Sequence, residues 1–316
     1  MKNLRFIAFF SIILISHSIG KGQHNEQGSW QFDGKRVEFT AGIQANMNLG
    51  TSKNNMIIVE VSGSAEKVSQ YQLTNENGSI KINEEALATN PNSPSIPSNI
   101  IWNISVPAGT EFKVTGAGIE GTVTGFTGNT TIECGKVSIN MEGCNGRTEI
   151  TSGAGSVRIN DCQGSYSISG ASTAAILKNC TGDFHISSAS GNIDADNIIL
   201  SGPGLFSSGT GKVSVRLKSS PAYDLSVMSS FSKAELDFCG NPVSGSFEFI
   251  CEQKGGRITS PYALGTAETF RSERAKRELG NEGPNLTDYT RRSFIRGDNR
   301  PKISIRTATG NAILKK

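Results

Sequence analysis

Cys144, Cys162 and Cys180 stand eighteen residues apart twice over. Thiols can pair, ligate a metal or remain as small buried apolar groups, and each fate needs its own geometry. Neighbouring strands bring Cα atoms to about 5 Å, within disulfide reach, yet a third thiol is left over and in-register stacking points the Cβ vectors in parallel. Three cysteines in one file cannot surround an ion tetrahedrally, and no histidine column joins them. The expectation is an unpaired core ladder. Cys239 and Cys251 end the segments "AELDFC" and "SFEFIC" outside that column. In an oxidising compartment they could close a disulfide around "GNPVSGSFEFI", adding about 3 kcal/mol if unstrained.

The other chemistry-bearing types are sparse. Of the three histidines, His17 lies in a candidate leader, His24 just after it, and His185 beside Asp183 on an outward position. Serine is abundant, but no nucleophile elbow or serine–histidine–acid set accompanies it. Paired carboxylates flanking a sugar chain are the strongest enzyme alternative, with Glu133, Glu142, Glu149, Asp194 and Asp196 on outward positions. Charges on a solvated face serve solubility equally well, so no catalytic residue, cofactor or metal ligand is assigned.

The elements that would position these groups follow from the same ruler. Gly128, Gly146, Gly164 and Gly182 share one column; Ile132, Ile150, Ile168 and Ile186 share another; Ile139, Val157, Ala175 and Ile193 a third. Within a unit the apolar columns lie two residues apart, the period of a strand with one buried face. Gly135, Gly153, Ala171 and Ala189, then Gly143, Asp161, Asn179 and Asn197, fall at corners, where small or amide side chains tolerate tight and left-handed backbone. A unit this small cannot bury its own apolar face, so units must stack. The fold class expected is all-β: a parallel β-helix, or β-solenoid, with coils of about 18 residues. Ile303, Ile305, Ala312 and Leu314 repeat the spacing, so the last residues belong to the stack.

Residues 1–22 read as a signal peptide: Lys2 and Arg5, an apolar run from Phe6 to Ile15, then Ser18, Gly20 and Gly22. Residues 23–106 read as strands without the ruler, a β cap with a hairpin turn at "NGS" and a loop at 90–99. Residues 107–316 read as solenoid, interrupted by a charged insertion at 262–300 that includes "AETFRSERAKREL", a candidate short helix. The 36 glycines and 7% aromatic residues disfavour an ordinary helical or α/β core. A formal charge of +3 is too weak to imply nucleic acid. No transmembrane span is expected in the mature chain.

Capping strands, "SVPAGTEFKV", the "SGAGSVRI" and "SASGNIDA" turns and a closing "PKISIRTATGNAIL" together resemble the DUF4097 family of adhesin-like, repeat-containing bacterial envelope proteins, and the related head-GIN (DUF2807) group. The resemblance covers about residues 100–316. It implies a right-handed parallel β-helix and brings no established catalytic residues. The chain departs from the commonest "TGSGDV" turn by fewer aspartates and several cysteines, which weighs against an acid-dependent ligand or ion role. The function expected is a non-catalytic, exported binding or scaffolding protein of the cell envelope, periplasmic or on the outer surface; the alternatives are a carbohydrate-active β-helix enzyme and an envelope-quality or signalling component. Its partner would be an envelope protein or a glycan, met by Arg271, Arg274, Lys276, Arg277, Arg291 and Arg292 of the insertion, and its solenoid ends could pair copies.

Overall fold

The computed structural model describes residues 25–64, 73–76, 78–84, 100–252, 255–271 and 288–316. The candidate leader (1–22) and the 90–99 loop lie outside them. Among the described residues every regular element is a strand, and the chain divides into two compact units, one through Asn129 and one from Thr130.

The first unit holds β1 (Asn25–Phe32), β2 (Arg36–Ala41), β3 (Ala45–Thr51), β4 (Ile57–Ser64), β5 (Leu73–Glu76), β6 (Ser79–Asn83), β7 (Ile101–Val106) and β8 (Thr110–Thr124). Here β2 and β3 form one coil whose alternate residues Val37, Phe39, Met47 and Leu49 are buried. On one edge it pairs in parallel with β8, Val37 opposite Phe112 and Leu49 opposite Val123. On the other edge lie β6 and β7, Val37 opposite Ile80 and Leu49 opposite Ile104. The earliest coil in sequence is therefore sandwiched between two later ones. Antiparallel strands close the outer side, β5 on β6 and β4 on β7, with β1 on β4. The β5–β6 turn is the expected one, with Gly78 at φ 80°. Buried Glu84 accepts from the Gly42 amide at 3.1 Å and the Trp102 indole at 3.4 Å, which satisfies both donors at that corner.

The second unit begins with β9 (Thr127–Glu142), β10 (Asn145–Asn160), β11 (Gln163–Lys178), β12 (Thr181–Ser188) and β13 (Ile193–Ser208). Its ladders are parallel and keep the eighteen-residue step through β12, Ile150 facing Ile168, Ile168 facing Ile186 and Ala175 facing Ile193, and the step lengthens to twenty where Ile186 faces Phe206. β9, β10 and β11 each run through the first corner, where glycine or alanine bends the chain, and β12 ends there at Ser188. The second corner ends β9, β10 and β11, whereas β13 runs on through it at Asn197. Asp161, Asn179 and Asn197 take φ of 53°, 54° and 59°, the left-handed region that amide and carboxylate side chains enter most cheaply among non-glycine residues. Their side chains bond along the column, Asn179 to Asp161 at 2.9 Å and Asn197 to Asn179 at 2.5 Å.

Later coils are longer, and one is out of order. β14 (Val213–Leu217), β15 (Leu225–Ser229) and β16 (Ala234–Asp237) continue the stack. The next layer is not β17 (Gly245–Glu252) and β18 (Arg257–Thr259), separated by β19 (Glu268–Arg271) and β20 (Asp288–Arg296) from the strands that follow, but those strands themselves: β21 (Lys302–Thr307) and β22 (Asn311–Lys315). Leu225 faces Ile303 and Ala234 faces Ala312, while Phe247 faces Ile303 from the other side and Ile258 faces Ala312. The last coil is wedged between 225–237 and 246–259. Beyond β17 lies β20, antiparallel, with β19 antiparallel on β20. Residues 268–271 of the candidate helix are thus a strand: β20 offers an unpaired edge, and Thr269 and Phe270 are strand formers. The described ends of the insertion are a cap on the stack.

Close stacking predicts one sharp intolerance. At Gly164, φ 141°, an added Cβ would stand 1.8 Å from the Gly146 carbonyl oxygen of the coil beneath. Gly164→Ala should cost about 2–4 kcal/mol; a urea midpoint equal to that of the parent would show that the two backbones do not meet there.

Candidate binding site in the C-terminal unit

Two corner columns set the chemistry of the interior. Cys144, Cys162 and Cys180 are buried and in no disulfide. Their thiols donate to backbone carbonyls, Cys162 to Asn160 at 3.0 Å and Cys180 to Lys178 at 3.2 Å. The second column carries hydroxyls. Ser208 donates to the Gly191 carbonyl of the preceding coil and accepts from the Gly211 amide, 2.8 and 2.9 Å. Ser229 repeats this with Gly211 and Ser232 at 2.8 and 3.1 Å. Thr307 does so with Ser232 and Gly310 at 3.1 and 2.9 Å, tying the wedged coil to a neighbour 75 residues earlier. Where the column has Gly170, Thr173 fills the space and bonds Ser152 at 2.6 Å.

Cys251 follows Ile250, which faces Arg306, and so takes the Thr307 position of this hydroxyl column. Cys239 sits instead at the other, left-handed corner, φ 51°, exposed, its amide donating to Asp237 at 2.8 Å. The two sulfurs belong to different corners and no disulfide joins them: both are free. Cys134, unassigned by sequence reasoning, lies one repeat before Ser152 and is also buried.

The candidate carboxylates do not converge. Glu149 is held by Arg147 and Asp196 by Arg216, the latter at 2.9 Å. Asp183 accepts from Ser165 at 2.7 Å beside exposed His185. Among the described residues no group of three or more histidine, cysteine or acidic side chains could hold a metal ion, and no helix is long and apolar enough to cross a membrane.

The basic residues named from sequence separate. Arg274, Lys276 and Arg277 lie outside the described residues. Arg271 is placed by its backbone, opposite Asp288 at the start of β20. Arg291 is neutralised by Glu248 at 3.2 Å and Glu268 at 3.8 Å, and Glu248 also takes Arg306 at 2.8 Å. Arg292 projects from the opposite face of β20, the face on which Phe294 stacks against buried Phe247 at 4.5 Å. Farther along that face the Arg296 guanidinium covers the Tyr262 ring at 4.6 Å.

That face looks into a step in the stack. β17 is covered by β20, but among the described residues β18 has a strand on one edge only, β22. The step is a cavity of about 360 Å³ lined by Cys251, Arg257, Ile258, Thr259, Thr290 and Arg292, with Glu252 and Leu264. Among the described residues no ion pair engages Arg257 or Arg292, and the cavity lining holds these two guanidiniums and one carboxylate, Glu252. Sequence reasoning missed Arg257, which lies outside the charged insertion in "GGRITS". Burial pushes the Cys251 thiol up while the nearby Arg292 charge opposes the shift.

Burial raises Cys134 to about 11, with Glu133 adding to it. Ordinary thiols, near 9.0, shed their protons first in the unfolded chain, so stability present below about pH 9 is lost as pH rises through 11. The urea midpoint should fall across that window, and less so in Cys134→Ser; an equal fall in both would remove Cys134 from the account. Alkylation without reductant near pH 8 should mark Cys239 in the native protein and all six cysteines after denaturation; a Cys239–Cys251 peptide pair would contradict the free thiols.

No family model matches the chain, and no curated protein matches it. Solved structures do, at low identity. One from Bacteroides fragilis, provisionally named an adhesin, is 10% identical, with 95% of this chain and 100% of that one covered and a TM-score of 0.46. One from Clostridium sporogenes, provisionally named a cell adhesion protein, is 11% identical over 92% and 99%, TM-score 0.29. One from Parabacteroides distasonis, provisionally named a lipid binding protein, is 13% identical over 92% and 96%, TM-score 0.27.

Proposed function

We propose that this chain is an exported, non-catalytic binding or scaffolding protein of the bacterial cell envelope, a right-handed parallel β-helix of the DUF4097 kind whose C-terminal unit carries the partner-binding surface. The observation that carries the reading is the convergence of two guanidiniums, Arg257 and Arg292, on the cavity at the β18–β20 step, neither of them engaged in an ion pair among the described residues. Uncompensated guanidiniums beside a concave surface bind carboxylates, sulfates or phosphates with two-pronged geometry.

Photo-crosslinking in the native host tests this. A photoreactive residue at Thr259, in the step, should trap a discrete partner, whereas one at Ser167, on the lateral face of β11, should not. Equal adducts from both positions, or none from Thr259, would remove the step as the binding surface.

A further inference from the structure

We propose that the step at β18 receives an extended acidic peptide strand, which adds to the open edge of β18 and sets its carboxylates against Arg257 and Arg292. This rests on the reading of the step as a binding surface and names the chemistry of its partner.

The backbone argues for a peptide. The Arg257 amide donates to the Gly310 carbonyl, and in a parallel ladder the bonding groups alternate between edges. Arg257 and Thr259 therefore direct their backbone bonds toward β22, and Ile258 directs its N–H and C=O away from it. No strand pairs with that second edge among the described residues. The neighbouring β17 is in the opposite condition, its outer edge taken by β20 over the full length of the strand. An open edge of this kind is a template for one more chain.

The side chains argue for acid. Ile258, in the column of buried Ala312 and Ala234, is half-exposed because no coil covers it. An apolar residue of an added strand would cover it, and the residues on either side of that one would point outward, toward Arg257. Arg292 and Thr290 reach the cavity from β20. A glycan could meet the two guanidiniums but has no alternating donor and acceptor to match Ile258.

The full-length chain is titrated with a labelled, end-blocked peptide of sequence Thr-Val-Glu-Val-Glu-Val-Thr. A glutamine-for-glutamate version tests charge, and a version N-methylated at alternate residues tests the backbone. The acidic peptide should bind in the micromolar range, and the other two about tenfold more weakly. Arg292→Gln and Arg257→Gln should each weaken it about fivefold or more, and Arg292→Lys less than Arg292→Gln. Circular dichroism of the variants checks that the fold is kept. Absence of binding, or binding that neither N-methylation nor Arg292→Gln changes, overturns the proposal, as does a sulfated glycan binding at the step where the peptide does not. Adducts at Thr259 without peptide binding would leave the step as the surface and reject the acidic strand as its partner.

Discussion

A coil in a parallel stack satisfies its backbone on two neighbours: alternate residues bond to the coil on one edge and to the coil on the other. Pairing is therefore complete only in the interior of a stack, and every terminal coil presents a row of unmet N–H and C=O groups. Much of what is irregular in this protein answers that condition. In the first unit the strands β4, β5 and β1 turn antiparallel and close the row. In the second, β20 and β19 do the same over β17. β18 lies beyond their reach, and the candidate site is the remainder of the constraint.

Inside the stack the same in-register geometry selects side chains by column. One corner demands left-handed backbone and receives glycine, aspartate and asparagine. Another must quench amides and carbonyls that no strand reaches, and a hydroxyl of short reach, from Ser208, Ser229 or Thr307, serves each coil. A cysteine also takes a place in the hydroxyl column, at Cys134 and at Cys251, both buried. Close stacking makes a misplaced residue felt by two coils at once, as at Gly164, where an added Cβ would meet the Gly146 carbonyl oxygen.

The sequence carried the columns well, because from β10 to β12 each paired residue's neighbour is the one eighteen positions away. It carried neighbours poorly wherever that step failed. Ile303 and Ala312 bear the repeat's spacing, yet nothing local says that they sit against Leu225 and Ala234 rather than against the end of the stack. The coil of Val37 and Leu49 shows no ruler because its partners are Ile80, Phe112, Ile104 and Val123, each at its own separation. Charge was legible as composition only. Arg291 and Arg292 are adjacent and alike on paper, but alternation along β20 turns one to Glu248 and the other to the cavity. Arg257 could have been found by noting that "RIT" follows a glycine pair as "SVRI" follows a glycine corner.

The wedged coil has a consequence for how the molecule is made. A chain leaving a ribosome or a translocation pore emerges in order, and an ordinary stack can grow coil by coil behind it. Here residues 246–259 emerge while the strands they rest on, 302–315, are still unmade. The end of this unit cannot be assembled progressively; it waits for the last coil and then closes in one event, with β17 and β18 on one side and β15 and β16 on the other. A nascent chain arrested before residue 302 would hold two unmatched edges at once, that of 225–237 and that of 246–259.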